Sequence, residues 1–201
     1  IEHPAILNTM QYLEKEEGFR VTYLPVDRAG RVRLDALKNA LCKDTILVSI
    51  MYVNNEVGSV QPIQEAASIV KAYNKDILFH VDAVQGFGKY RIYPKRIGVD
   101  LMSISGHKIH GPKGAGALYI SPRLKSFPPM LFGGGQENQF RSGTEGMPAI
   151  FGFAAACEVC KTSFNEDITK ENLCLRMFHM HSKIRNLIRI SEKIDRYIPV
   201  G

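Results

Sequence analysis

The sequence predicts an α/β domain of three layers, helix–sheet–helix, around a mostly parallel mixed sheet. Three observations predict it. Apolar, β-branched runs of strand length at residues 45–51, 77–81 and 100–104 alternate with helical stretches, the pattern of parallel strands joined by crossover helices. The runs hold few polar residues, as strands buried on both faces do. Small and polar residues with chemically useful side chains gather at the carboxyl ends of these runs, the edge at which open α/β sheets bind ligands.

Taken in order, His3-Pro4 opens a helix with proline in its first turn; the helix runs to about Glu17 and stops at Gly18. Residues 20–25 read as a short strand, 27–30 as a turn and 34–41 as a short helix. Residues 45–51 form a buried strand followed by the loop Asn54-Asn55-Glu56-Val57-Gly58. Pro62 opens a helix to about Tyr73, with Ile63, Ala66, Ala67 and Val70 on one face. Strands follow at 77–81 and 100–104, and a short one at 116–120 returns antiparallel to its neighbour. Gly133-Gly134-Gly135 is a loop, residues 147–161 a strong helix and 171–190 a second one. Asn165-Glu166-Asp167 breaks the helical pattern. It divides a large domain at 1–163 from the start of a smaller one at 164–201, and a chain that opens on Ile1 reads as part of a longer product.

Bulk properties exclude several classes. The net charge of +6 comes from 26 basic residues spread along the 201-residue chain rather than clustered, which argues against a nucleic-acid surface. Four cysteines are too few for a disulfide framework in a chain of this size. Cys157 and Cys160 sit in a helical stretch and read as buried thiols, without the second pair a zinc site needs. No apolar run reaches the roughly 20 residues of a membrane span, so the expected location is cytoplasmic, or the mature part of an organelle protein.

Lys108 ends the run Ser105-Gly106-His107-Lys108. An amine held in a partly desolvated pocket at a strand end can form a Schiff base with a carbonyl. Lys113, in the turn His110-Gly111-Pro112-Lys113-Gly114, is the rival amine and reads as solvated. The same region is not a nucleotide-binding P-loop, because Pro112 stands where the lysine should be. His107 and His110 lack nearby acidic or thiol partners for a metal. Asp82 ends the run Phe79-His80-Val81-Asp82. By itself it reads as an N-cap for the next helix. Beside Lys108 and Gln85 it becomes the carboxylate that keeps a pyridine nitrogen protonated, and the pair points to pyridoxal 5'-phosphate. His3 could lie on such a ring, and the Asn55 amide could bind a substrate carboxylate or a ring oxygen. Arg141-Ser142-Gly143-Thr144 could form an anion nest, with Thr144 capping the helix that follows.

Together, Glu2-His3-Pro4, Asn54-Asn55-Glu56-Val57-Gly58, His80-Val81-Asp82-Ala83-Val84-Gln85-Gly86, Ser105 through Gly114, Gly133-Gly134-Gly135-Gln136-Glu137 and Arg141-Ser142-Gly143-Thr144 resemble the cysteine desulfurase and selenocysteine lyase family. That family lies within the class V aminotransferase group of fold-type I pyridoxal phosphate enzymes. The resemblance implies that the large domain has the fold of that group. It implies Lys108 as the Schiff-base lysine, Asp82 on the ring nitrogen, Gln85 on the phenolic oxygen and His3 stacked on the ring. Ser105 and His107 would bind the phosphate, and Asn55 would hold cofactor and substrate. Thr144 would reach the phosphate of a partner subunit's cofactor, implying a homodimer with shared sites. The implied activity removes sulfur from L-cysteine, leaving L-alanine and an enzyme persulfide for iron–sulfur cluster or thio-cofactor assembly through an acceptor protein. None of Cys42, Cys157, Cys160 or Cys174 matches the family's persulfide cysteine, so this chain alone is expected to be inactive. Selenocysteine lyase, another lyase or aminotransferase of the fold, and a non-catalytic scaffold stay open as alternatives.

Overall fold

The computed structural model describes residues 1–124, 128–129 and 131–163. The expected domain boundary, the helix at 171–190 and Cys174 lie outside the described residues.

Five α-helices and four strands follow in the order α1 (Pro4–Glu16), α2 (Leu34–Ala40), β1 (Leu47–Met51), α3 (Ile63–Tyr73), β2 (Leu78–Asp82), α4 (Pro94–Ile97), β3 (Leu101–Ser105), β4 (Gly116–Ile120) and α5 (Met147–Ser163). A 3-10 turn over Gly106–Ile109 links β3 towards β4. The sheet order is β1-β2-β3-β4; the first three strands are parallel and β4 is antiparallel to β3. This is the mixed, mostly parallel sheet expected from the alternation of elements.

The core lies on one face of that sheet. The stripe read from α3 is buried at all four positions, Ile63, Ala66, Ala67 and Val70. It packs with Leu37 and Leu41 against Val48 and Ile50 of β1, Phe79 and Val81 of β2 and Met102 of β3. Strand side chains alternate, so Ser49, His80, Asp82 and Ser103 point to the opposite face. There the His80 ring bridges three strands. Its Nδ1 lies 2.8 Å from the Ser49 hydroxyl and its Nε2 lies 2.9 Å from the Ser103 hydroxyl. Burial pushes the His80 pKa down, against the pull of Asp82, so the ring bridges as a neutral group.

One expected strand does not form. Residues 20–25 carry no strand pairing, and the nearby contact is a single bridge, Val26 to Val32. Alternating apolar residues make a strand only when a ladder partner is present. Here Val21, Leu24 and their neighbours line a groove of about 1010 Å³ beside α1 and β1. The short helix α4, ended by Gly98 in the left-handed region, was not evident from the sequence; four residues are too few to display a helical period.

The amino-terminal edge of the sheet is fastened by charge. Asp100 is 2% exposed. Its carboxylate accepts from the Phe79 N–H at 2.8 Å and pairs with Lys71 of α3 and with Arg123 beyond β4. Lys71 also donates to the Ile77 carbonyl at 2.6 Å. Burial pushes the Asp100 carboxyl up, but the hydrogen bonds from Arg123, Lys71 and Phe79 together outweigh it and hold it below the ordinary aspartate value. A depressed carboxyl stabilises the fold above its unfolded pKa, and that contribution is lost as pH falls through the folded value. Removing one partner of a buried pair costs about 3–5 kcal/mol. Asp100→Ala in the full-length protein is therefore expected to lower urea stability by about that amount at pH 7, with the deficit shrinking below about pH 4. Urea melts at both pH values check it.

Candidate active site

Register brings the polar residues to one edge. Met51 of β1 pairs with Asp82 of β2, and Asp82 pairs with Ser103 of β3, so β1 and β2 end level with one another and β3 runs two residues further, to Ser105. The Tyr52 N–H donates to the Asp82 carbonyl at 2.8 Å and the Ala83 N–H to the Ser103 carbonyl at 2.9 Å. These bonds carry the sheet pairing one residue further and fix the exit direction of each loop.

Asp82 is 8% exposed, and its Oδ1 accepts from the Val84 N–H at 2.9 Å. No helix follows: residues 83–90 run as turns, so Asp82 caps a turn rather than the expected helix, and that bond occupies only one lone pair of a buried carboxylate that can accept several. Gln85, also buried, lies on the same turn, and its Oε1 accepts from Lys89 Nζ at 2.9 Å.

Beyond β3 the chain tightens at once into the 3-10 turn that carries Lys108. The turn is closed by His110, whose φ of 67° lies in the left-handed region, and by the Gly111 N–H donating to the Gly106 carbonyl at 2.9 Å. A Cβ on Gly111 would stand 2.9 Å from that same oxygen, so only glycine fits there. Lys108 is half-buried, whereas Lys113 is exposed beyond the turn as expected. Ser105 Oγ and His107 Nδ1 are 2.8 Å apart, so the two expected phosphate ligands are neighbours. Among the described residues Lys108 has no hydrogen-bond acceptor. Its charge is felt by Lys89, whose pKa is lowered first by burial and then by Lys108. Lys89 thus connects Gln85, which it bonds, with Lys108, whose charge it feels.

His3 is the N-cap of α1, its Nδ1 accepting from the Ala5 N–H at 3.1 Å. The residue before it anchors the helix: Glu2 Oε1 accepts from the Met51 N–H at 2.7 Å, at the end of β1. Glu2 was not singled out from the sequence, where an acid before a helix reads as an ordinary surface residue. Asn54 was passed over too. It is Asn54, rather than Asn55, that builds the loop after β1, donating to the Ile1 carbonyl at 2.7 Å and accepting from the N–H groups of Glu56 and Val57. Asn55 is half-buried beside it. Thr144 stands apart. It is exposed, and the hydrogen bonds of its loop run from Gly143 to Gln136 and from Gly135 to Ser142. Because α5 begins only at Met147, Thr144 does not cap that helix.

Glu2 Oε2 is buried and has no hydrogen-bond partner among the described residues. Burial raises the Glu2 pKa, the Met51 N–H opposes that, and the Asp82 charge raises it further. A raised carboxyl contributes its stability below the unfolded pKa and loses it as pH rises through the folded value. Glu2→Gln keeps the acceptor for Met51 and removes the charge. It is expected to raise the thermal midpoint of the full-length protein at pH 8 by a few degrees, about 1 kcal/mol, with little change at pH 4. Thermal melts at the two pH values measure it.

A family model described as aminotransferase class-V matches residues 1–193. The chain is 50% identical over 170 residues to cysteine desulfurase IscS of Dictyoglomus turgidum, covering 85% of this chain and 42% of that protein. It is 45% identical over 193 residues to the mitosomal cysteine desulfurase of Trachipleistophora hominis, covering 94% and 43%. Among solved structures, a NifS-like protein superposes with a TM-score of 0.77 at 48% identity, covering 80% of this chain and 44% of that one. SspA in complex with cysteine superposes with a TM-score of 0.74 at 43% identity, covering 79% and 45%. The chain spans less than half the length of these relatives. Fold, residue pattern and family match agree, and the chain belongs to the class-V aminotransferase family.

Proposed function

We propose that this chain forms the pyridoxal 5'-phosphate-binding part of a cysteine desulfurase, which converts L-cysteine and an enzyme thiol into L-alanine and an enzyme persulfide. The observation that carries the reading is a buried carboxylate, Asp82, at the end of β2 and a half-buried amine, Lys108, just past the end of the neighbouring strand β3, with no hydrogen-bond acceptor among the described residues. The substrate class is supported by two curated relatives named cysteine desulfurase and by the solved neighbour described in complex with cysteine.

The donor set fits the cofactor. Asp82 has spare acceptor capacity for a protonated ring nitrogen. Gln85 has a free amide N–H₂ for the phenolic oxygen. Ser105 and His107, side by side, suit a phosphate ester. When bound, the cofactor supplies an electron sink for the negative charge left on the substrate α-carbon. Lys108 holds the cofactor aldehyde and, once freed by substrate, takes the α-proton and later returns one. Asp82 keeps the ring nitrogen charged by favouring the protonated form. His3, oriented through its Nδ1 by the Ala5 N–H, stacks on the ring with Nε2 left for proton exchange. Asn55 binds the substrate or ring oxygen.

The thiol that accepts sulfur lies beyond the cysteines of this chain, and the persulfide passes to an acceptor protein for iron–sulfur cluster or thio-cofactor assembly. Thr144, exposed on its own loop, reaches the phosphate of a partner subunit's cofactor in a homodimer. Cys42, Cys157 and Cys160 are free thiols, which suits a reducing cytoplasm. Among the described residues no helix is long and apolar enough to cross a membrane.

The full-length protein, loaded with the cofactor and given cysteine, is expected to release alanine, and borohydride is expected to fix the cofactor to a peptide containing Lys108. Lys108→Ala is expected to lower alanine formation by at least about a hundredfold and to abolish the fixation. Equal turnover by both proteins would end the proposal.

A further inference from the structure

We propose that Lys89 is a positioning residue of the site, holding the Gln85 carboxamide with its N–H₂ end turned to the cofactor's ring oxygen and keeping a second positive charge beside Lys108. The inference rests on the cofactor reading above and goes beyond it.

A carboxamide has two unlike ends, and a free glutamine can present either. An ammonium group only donates, so the 2.9 Å bond from Lys89 Nζ must be taken by Gln85 Oε1. The N–H₂ end then faces the other way as a donor. That is the end a phenolic oxygen requires; the reverse orientation would set one acceptor against another. Gln85 is 8% exposed, so no water shell competes to turn the amide.

Lys89 is itself held in place. Gly88 has a φ of 75°, and a Cβ there would stand 2.7 Å from Ile109 of the Lys108 turn and 2.9 Å from Cys160 Sγ of α5. The backbone before Lys89 is thus wedged between these two elements. The ionisable groups that face Lys89 are Lys108 from the 3-10 turn and Cys160 from α5. Burial pushes the Cys160 thiol up more than Lys89 pulls it down, so it stays neutral and does not cancel the lysine charge. Lys89 and Lys108 thus lie within electrostatic range of one another. A neighbouring cation disfavours the protonated form of an amine or imine. A hydrogen bond donated by Gln85 to an anionic ring oxygen works in the same direction, because it stabilises the charge that remains when the nitrogen proton leaves.

The experiment titrates the visible absorbance band of the cofactor-loaded full-length protein against pH. Lys89→Met is expected to move the midpoint upward by about one pH unit, a tenfold change in proton affinity. Lys89→Arg, which keeps the charge and the donor, is expected to restore most of the wild-type midpoint. If Lys89→Met does not fold, Lys89→Gln takes its place and is expected to shift the midpoint in the same direction. A lysine with only a structural role would lower the melting temperature and leave the midpoint of the remaining loaded protein unmoved; that result would overturn the inference. A wild-type protein without a visible band that borohydride bleaches would instead overturn the cofactor reading, so the two failures are distinguishable.

Discussion

Everything at the site depends on the position of β2 between two parallel neighbours. A central strand paired on both sides cannot shift register without turning its core face outward. Phe79 and Val81, both fully buried, each contribute about 1.5–3 kcal/mol to holding that register. The price is that the alternate residues, His80 and Asp82, must lie on the other face. His80 meets this demand by bonding to a serine on either side. Asp82 meets it only in part, with the Val84 N–H as its donor among the described residues. Core packing thus delivers an underused carboxylate to the carboxyl edge of the parallel strands.

The two buried aspartates of the sheet separate structural from chemical roles. Asp100, at the amino-terminal edge, has both oxygens engaged, by a lysine, an arginine and a backbone N–H. Its work is to bind α3, β2 and the segment after β4 to one another. Asp82, at the carboxyl edge, has one backbone donor and a buried carboxyl, Glu2, whose proton its charge helps to retain. A buried carboxylate without its full set of donors is costly, and a protein keeps one where a ligand supplies the rest.

How much of this was legible depended on whether the signal was periodic or positional. The stripe of α3 was readable at each of its four positions because one buried face repeats at helical spacing. Lys108, Asp82 and Gln85 were readable because they end apolar runs, and strand ends are edges. Glu2 and Lys89 were not, because their partners, the Met51 N–H and the Gln85 amide, are contacts made only on folding. Asn55 drew attention as an amide at a strand end, while its neighbour Asn54 makes the bonds that shape the loop; adjacent identical residues carry no sequence signal that tells them apart. Residues 20–25 looked like a strand because alternation reports a side chain's preference for a pleated surface, not the presence of a partner strand.

Three lysines crowd the turn-rich region after β2 and β3, and their surroundings sort them. Lys113 is exposed to solvent beyond the turn. Lys89 is desolvated, but its ammonium is committed to the Gln85 oxygen, and losing its proton would free an amide whose orientation the site needs. Lys108 is half-buried, has no acceptor among the described residues and faces a second cation. Lys108 is thus the amine without a committed acceptor among the described residues, while Lys89 is tied to the Gln85 oxygen.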